Sequence, residues 1–434
     1  MQQPKQTIPV TTTIMESIQW FIFLLASSVA MPIVIGAIYG LDFAEVAGLM
    51  QRTFFVVGVA SFLQGLFGHR LPIMEGPAGI WISIFTVMSI TGVQQGATAT
   101  ETLQLVEGTM IWTGVFLFLF GIFKLTERIL FVFTPLVTGT FFILLTVQLS
   151  GTFLEGMLGL QDGSESIQPT KTLLAFITFL TVLGLSIFAR GWLSSYAVLI
   201  GIIIGWIAYV FVFGFHQADG ESSIFSFPEL FAWGNPNLDI NSIPIAFITA
   251  VILISNVVAS VVAANQSLGN EEASQGKQIN RGTSLLGINH GLAGMFSAVA
   301  NVPLATSAGF ISLTGQKRKL PFLIASVTLV IIAFFPLIVS IISGIPSPIA
   351  NAALMATFVQ LVGLALRNIT SQPLDSRKTT IVGVAYLIGI GTMFLPSEVF
   401  AGLPSLVQNL ASNGLLLGTG LVILIEQLWK EKTS

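Results

Sequence analysis

Pro72-Ile73-Met74-Glu75-Gly76-Pro77-Ala78-Gly79-Ile80-Trp81 and Pro303-Leu304-Ala305-Thr306-Ser307-Ala308-Gly309-Phe310-Ile311 share one design. Each runs from a proline through a short piece poorly suited to helix into Ala-Gly and a bulky apolar residue. Proline disfavours helix in the residue before it, and glycine lets other backbone approach closely. Twice, therefore, extended chain is expected to open into a short helix. The first turn of such a helix presents free N–H groups and the positive end of the helix dipole. At the centre of an apolar bundle, two such ends hold polar ligand atoms without a buried formal charge. Either stretch alone also fits a kinked membrane helix, in which Gly and Pro are common. Their occurrence at matching places along the chain favours a site, with Gly76, Gly79 and Gly309 as the glycines of the broken helices.

The rest of the chain supplies the apolar bundle. Of 434 residues, 53% are hydrophobic and 9% charged, and the mean hydropathy is +0.88. Globular domains carry about 25% charged residues, so lipid is the solvent that suits this composition. Cysteine is absent, which excludes disulfides and thiolate chemistry. A net charge of −3 argues against nucleic acid as a partner. The stretch Met1–Thr13 is polar, and no cleavable signal is expected before the first span.

Runs long enough to cross about 30 Å of hydrocarbon fall near 14–39, 45–68, 76–91, 108–127, 129–150, 170–190, 194–214, 242–265, 282–301, 306–316, 320–343, 347–366, 378–395 and 402–428. The third and tenth, short and interrupted, contain the two opening stretches. Fourteen crossings with the N-terminus inside place Lys5, Arg70, Lys124, Arg128, Arg190, Lys277, Arg281, Lys317, Arg318, Lys319, Arg367, Arg377, Lys378, Lys430 and Lys432 in the cytoplasm. Only Arg52 and Lys171 of the 17 basic residues fall outside, as the positive-inside rule expects. Acidic residues gather in the outer loops, among them Asp42, Glu45, Glu101, Glu107, Glu155, Asp162, Glu165, Asp219, Glu221, Glu229 and Asp239.

The loop Gly214–Ile240 divides the spans seven and seven. Odd-numbered halves insert with opposite topology, the inverted-repeat design of many secondary transporters. The expected fold is all-α and polytopic: a first repeat at 1–214, an extracytoplasmic loop at 215–241 and a second repeat at 242–434. Spans 1–4 and 8–11 are expected to form a core around the site, with the remaining spans as a gate.

Ionisable groups inside a membrane are costly and point to function by default. Glu75 precedes the broken third span, and His290 lies in the ninth, whereas Glu16 and Glu127 sit at cytoplasmic ends. A structural alternative for Glu75 is capping of the third-span helix or pairing with Arg70; for His290 it is tying spans together. The sequence shows no His/Asp/Glu metal cluster, no nucleophile with its base and no phosphate loop. An enzyme is not expected, nor a metal or cofactor.

These residues resemble the nucleobase/ascorbate transporter family, the nucleobase:cation symporters of the second type, over nearly the whole chain. Gln19 and Pro32 fit the family's first-span Gln-His…Val-Pro spacing, with Trp20 in place of the histidine. Pro72, Gly76 and Trp81 fit its broken third span. Gly309 and Thr314 fit [Gln/Glu]-Asn-x-Gly-x-x-x-x-Thr, and Ile345-Pro346-Ser347-Pro348 and Ser412-Asn413-Gly414 fit the last helices. The resemblance is strongest to uncharacterised bacterial purine permeases, through Gly68-His69-Arg70, Ile73-Met74-Glu75-Gly76-Pro77, Ile254-Ser255-Asn256 and Ser412-Asn413-Gly414-Leu415-Leu416. Two departures stand out. Asn256 occupies the position of the family's eighth-span glutamate, and Thr306-Ser307 replace its tenth-span Gln/Glu-Asn pair.

The resemblance implies substrate contacts at Ser27, Trp81, Asn256, Ser260, Ala305, Thr306 and Ser307. Trp81 is expected to stack on the face of a nucleobase and Asn256 to serve its edge with donors and an acceptor. The implied function is secondary active transport of a purine (xanthine, uric acid, guanine or hypoxanthine) or uracil, coupled to protons. With both family carboxylates replaced, Glu75 is the first coupling candidate and His290 the second. The alternative is the same fold carrying a small anion or another flat polar metabolite. Membrane lipid, a homodimer and the bacterial inner membrane, with both termini cytoplasmic, complete the expectation.

Overall fold

The computed structural model describes residues 9–94, 96–126, 131–132, 134–160, 166–214, 223–270, 275–400, 411 and 413–429. Lys5, Glu127, Arg128, Asp162, Glu165, Asp219, Glu221, Ser412, Lys430 and Lys432 lie outside the described residues, as does most of 402–413 at the start of the last expected span.

The first half runs α1 (Val10–Tyr39), α2 (Phe43–Leu66), β1 (Glu75–Pro77), α3 (Gly79–Gln94), α4 (Ala99–Ile122), α5 (Pro135–Met157), α6 (Pro169–Phe188) and α7 (Ala197–Phe213). The second runs α8 (Ile243–Leu268), α9 (Gln275–Met295), β2 (Asn301–Pro303), α10 (Thr306–Thr314), α11 (Lys319–Ala333), α12 (Pro336–Ser343), α13 (Ser347–Ile369), α14 (Ser376–Met393) and α15 (Gly414–Leu428). Local chemistry sets many of the ends. Asp42 and Thr98 start α2 and α4 with capping boxes completed by Glu45 and Glu101. Proline stands in the first turn of α5, α6, α8 and α13, where its missing N–H costs nothing.

Seven described helices (α1, α2, α4, α5, α6, α8 and α13) are each long and apolar enough to cross a membrane. The eleventh span is a correction to the continuous run expected over 320–343: α11 and α12 meet at a 93° bend. Phe334-Phe335-Pro336 causes it, because Pro336 has no N–H to donate and pushes Phe335 out of the helical region. A second correction concerns Glu107, expected in an outer loop, and it involves Arg52 of the second span. Both are buried helix residues, on α4 and α2 respectively. Arg52 Nε donates to the Ser297 carbonyl at 3.1 Å, and its guanidinium lies 5.7 Å from the centre of the Trp233 ring. The Ser297 hydroxyl bonds Glu107. Two opposite charges with intervening hydrogen bonds make such burial tolerable.

The packing repeats itself. In one set of helices α2 packs on α11, α9 on α4, α1 on α11 and α8 on α4. Advancing a span by seven turns the first pair into the second and the third into the fourth. Glycine permits the close approach: a Cβ on Gly287 would lie 2.4 Å from the Phe118 nitrogen of α4, and one on Gly58 2.8 Å from the Ser326 carbonyl of α11. In the other set α5 packs on α13, α13 on α6, α6 on α7 and α14 on α15. The molecule is thus a mostly helical bundle of two inverted seven-span repeats, with β1 and β2 packed on α1, α2, α8 and α9 of the first set.

Candidate functional site

The two extended pieces pair. β1 and β2 run antiparallel with Glu75 opposite Pro303, Gly76 opposite Val302 and Pro77 opposite Asn301. The Ala78 N–H reaches the Ala300 carbonyl and the Leu304 N–H the Met74 carbonyl, each at 3.0 Å. All six strand residues are buried, so α3 and α10 leave the sheet in opposite directions from inside the bundle. Gly76 is needed there: a Cβ on it would stand 2.5 Å from Leu304 Cδ1.

Two of the expected contact hydroxyls pin this crossing. Ser307 Oγ accepts the Met74 N–H at 3.0 Å, and Ser260 Oγ on α8 donates to the Pro303 carbonyl at 2.6 Å. Asn256 lies one turn from Ser260, on the same face of α8, and is half-buried. Ala305, Thr306 and Gly309 are exposed along α10, and nothing lies within 4 Å of where a Gly309 Cβ would be. Asn256 therefore lies on the side of α8 that meets the end of β2. Ser27, half-buried on α1, spends its hydroxyl on the Phe23 carbonyl at 2.8 Å.

Trp81 is tied to α9. It is fully enclosed, and its indole N–H donates to His290 Nε2 on α9 at 3.2 Å, with ring centroids 5.8 Å apart. His290 Nδ1 lies 3.0 Å from the Leu286 carbonyl. An Nδ1–H tautomer, donating to Leu286 and accepting from Trp81, satisfies both ring nitrogens; His290 ties spans together. Gly79, about 200° round α3 from Trp81, instead faces Phe358 of α13, whose Cζ lies 3.4 Å from a Gly79 Cβ position, and Leu145 of α5 at 3.9 Å. The aromatic ring beside the start of α3 is thus Phe358, one apolar residue among many in an ordinary span, with no local signal to single it out.

Glu75 is fully buried in β1, its N–H bonded to Ser61 Oγ of α2 at 3.0 Å. It neither caps α3 nor pairs with Arg70, which is exposed with φ at 63°. Its titratable neighbour is His69, also fully buried, with Nε2 3.7 Å from Glu75 Oε1. Among the described residues, both carboxylate oxygens and His69 Nε2 are without hydrogen-bond partners. Sequence reasoning used His69 only as part of a motif; six residues from Glu75 and one of three histidines in the chain, it was visible.

A cavity of about 320 Å³ opens at the start of α13, lined by Lys171, Trp206, Tyr209, Ser343 and Pro346 among others. It shares no residue with the half-helix site. Among the described residues no three His, Cys, Asp or Glu gather as a metal site.

Paired half-helices crossing at the centre of two inverted repeats define a membrane permease. The chain belongs to the Permease family (Xan_ur_permease), the nucleobase/ascorbate transporter family, whose profile matches residues 11–398. It is 31% identical over 431 residues to "Putative purine permease YwdJ" of Bacillus subtilis, covering 97% of each chain. With "Xanthine permease" of the same organism the identity is 25%, over 94% of this chain and 91% of the other. Its fold is similar to that of the transmembrane domain of the cyanobacterial bicarbonate transporter BicA, with a TM-score of 0.57 at 15% identity, covering 96% and 98% of the two chains. The chain is not an enzyme.

Proposed function

We propose that this permease is a secondary active transporter of a nucleobase, a purine of the xanthine or uric acid class before uracil, driven by protons. The observation that carries the reading is full-length similarity to proteins named as purine and xanthine permeases, joined to an open face of neutral polar groups at the paired half-helices. A flat base has apolar faces and a rim of donors and acceptors. Asn256 offers both kinds of partner, and the first turn of α10 offers N–H groups. Asn256, Ala305 and Thr306 border the base, with Ser27 on α1 facing them. Ser260 and Ser307 hold the crossing in shape, and Trp81 holds α3 against α9 through His290. Glu75 carries the coupling proton in preference to His290, whose ring nitrogens are both engaged.

The chain lies in a bacterial inner membrane with both termini cytoplasmic, which rests on the distribution of Lys and Arg. Residues 1–214 and 242–434 form the two repeats about the loop 215–241, and the permease acts as a homodimer. Vesicles carrying the purified protein test the function. Under an inward proton gradient, labelled xanthine, uric acid, guanine or hypoxanthine should accumulate and be displaced by unlabelled base. Accumulation of bicarbonate or sulfate without any base would make it an anion carrier instead.

A further inference from the structure

The buried neighbours His69 and Glu75 differ in what already holds them. His69 Nδ1 accepts the Leu71 N–H at 3.1 Å, so in the neutral ring the proton must sit on Nε2. That Nε2–H faces Glu75 Oε1 across 3.7 Å, beyond a hydrogen bond. Glu75 is fixed at its backbone by Ser61 and the β1–β2 pairing, while its carboxyl oxygens have no donor. An ionised carboxylate without a donor is among the costliest groups to bury. The carboxyl as it stands suits the protonated form, and one donor waits a short shift away.

We propose that His69 is the positioning residue for the proton carried by Glu75: locked as the Nε2–H tautomer, it supplies the hydrogen bond that lets Glu75 release its proton inside the bundle. This rests on the reading of Glu75 as the coupling group. Closing the gap needs a movement of about 1 Å, within reach of any rearrangement of β1 against the segment after α2. The proton goes from the Glu75 carboxyl to water; His69 keeps its own Nε2–H and is neither acid nor base in the step.

Other charged groups on the surrounding elements leave this arrangement alone. On α1, Glu16 is paired with Arg318 at 2.7 Å. Arg52 of α2 is engaged at Ser297. On α9, His290 is held by Trp81 and Arg281 is exposed. Lys319, at the start of α11, is a cation whose field reaches His69, and it opposes a second proton on the ring.

The test reads the protonated carboxyl directly and needs no substrate. Infrared spectra of the purified permease, titrated with alkali, should show a buried carboxylic C=O band that Glu75→Gln removes. His69→Ala, or His69→Phe if the alanine variant does not assemble, should move the half-loss of that band up by about 1–2 pH units, the worth of one hydrogen bond to a charged group. His69→Gln, which keeps an N–H in reach, should restore most of the shift. A band unmoved in both His69→Ala and His69→Phe, or one untouched by Glu75→Gln, overturns the proposal. Vesicles supply the second arm: the optimum pH for accumulation should move in the same direction. Failure of wild-type vesicles to accumulate any base would sink the nucleobase reading alone, because the infrared titration stands without it.

Discussion

The two arms that cross at the centre share a backbone plan and differ in chemistry. The first, β1 with α3, begins fully buried, holds the one carboxylate at the crossing and leads into a helix of 16 residues. The second, β2 with α10, has no titratable group; its helix is only nine residues long and leaves Ala305, Thr306 and Gly309 exposed. Internal symmetry therefore fixes where the arms lie without fixing what each does. One arm encloses a group that must be shielded to be useful, and the other offers a surface that must be open.

If this division of labour holds, substitutions should separate by arm. The largest effect falls on Glu75→Gln, which keeps shape but removes the titrating proton: gradient-driven accumulation should vanish while exchange of labelled for unlabelled base continues. Accumulation equal to that of the parent would move the coupling group out of the first arm.

Next comes Asn256→Ala, beside the second arm. Leaving polar edges of a bound base unpaired should cost about 1–3 kcal/mol, or roughly 5- to 150-fold in Kd, measured by isothermal titration with xanthine. An unchanged Kd would place the base elsewhere.

Gly76→Ala then tests the closeness of the arms. A Cβ 2.5 Å from Leu304 Cδ1 should destabilise the fold by about 1–3 kcal/mol, as overpacking does, seen as a lower Tm. Gly309→Ala on the second arm meets open space. It should leave Tm unchanged or raise it, since alanine is favoured over glycine in a helix by about 0.8–1.0 kcal/mol, while weakening binding at the open face. Equal loss of Tm in both variants would erase the contrast.

The smallest effect belongs to Trp81→Phe. Losing the hydrogen bond to His290 should cost about 1 kcal/mol of stability and leave Kd for the base alone. A large rise in Kd would return Trp81 to the binding face.

Much of the fold was legible because membrane insertion is read along the chain. Hydropathy, basic-residue placement and repeated Pro…Ala-Gly patterns are local signals, and they placed both broken spans. The 93° break between α11 and α12 was legible too, in Phe334-Phe335-Pro336, but a hydropathy average runs straight across a proline. Glu107 misled for the opposite reason: charge alone looks like a loop, and only its partner Ser297, far along the chain, shows why it is tolerated in a helix.

The site divides the same way. Sequence by itself determined that Gly76, Gly79 and Gly309 sit in broken helices and that Glu75 is the carboxylate beside them. Tertiary structure alone decided that Trp81 bonds His290, that Phe358 takes the place beside Gly79 and that the titratable neighbour of Glu75 is His69 and not Arg70. The first set depends on residue type and spacing, which the chain carries in one dimension. The second depends on the angle at which each side chain leaves its helix or strand and on what distant segment meets it there, which exists only once the two repeats have closed on each other.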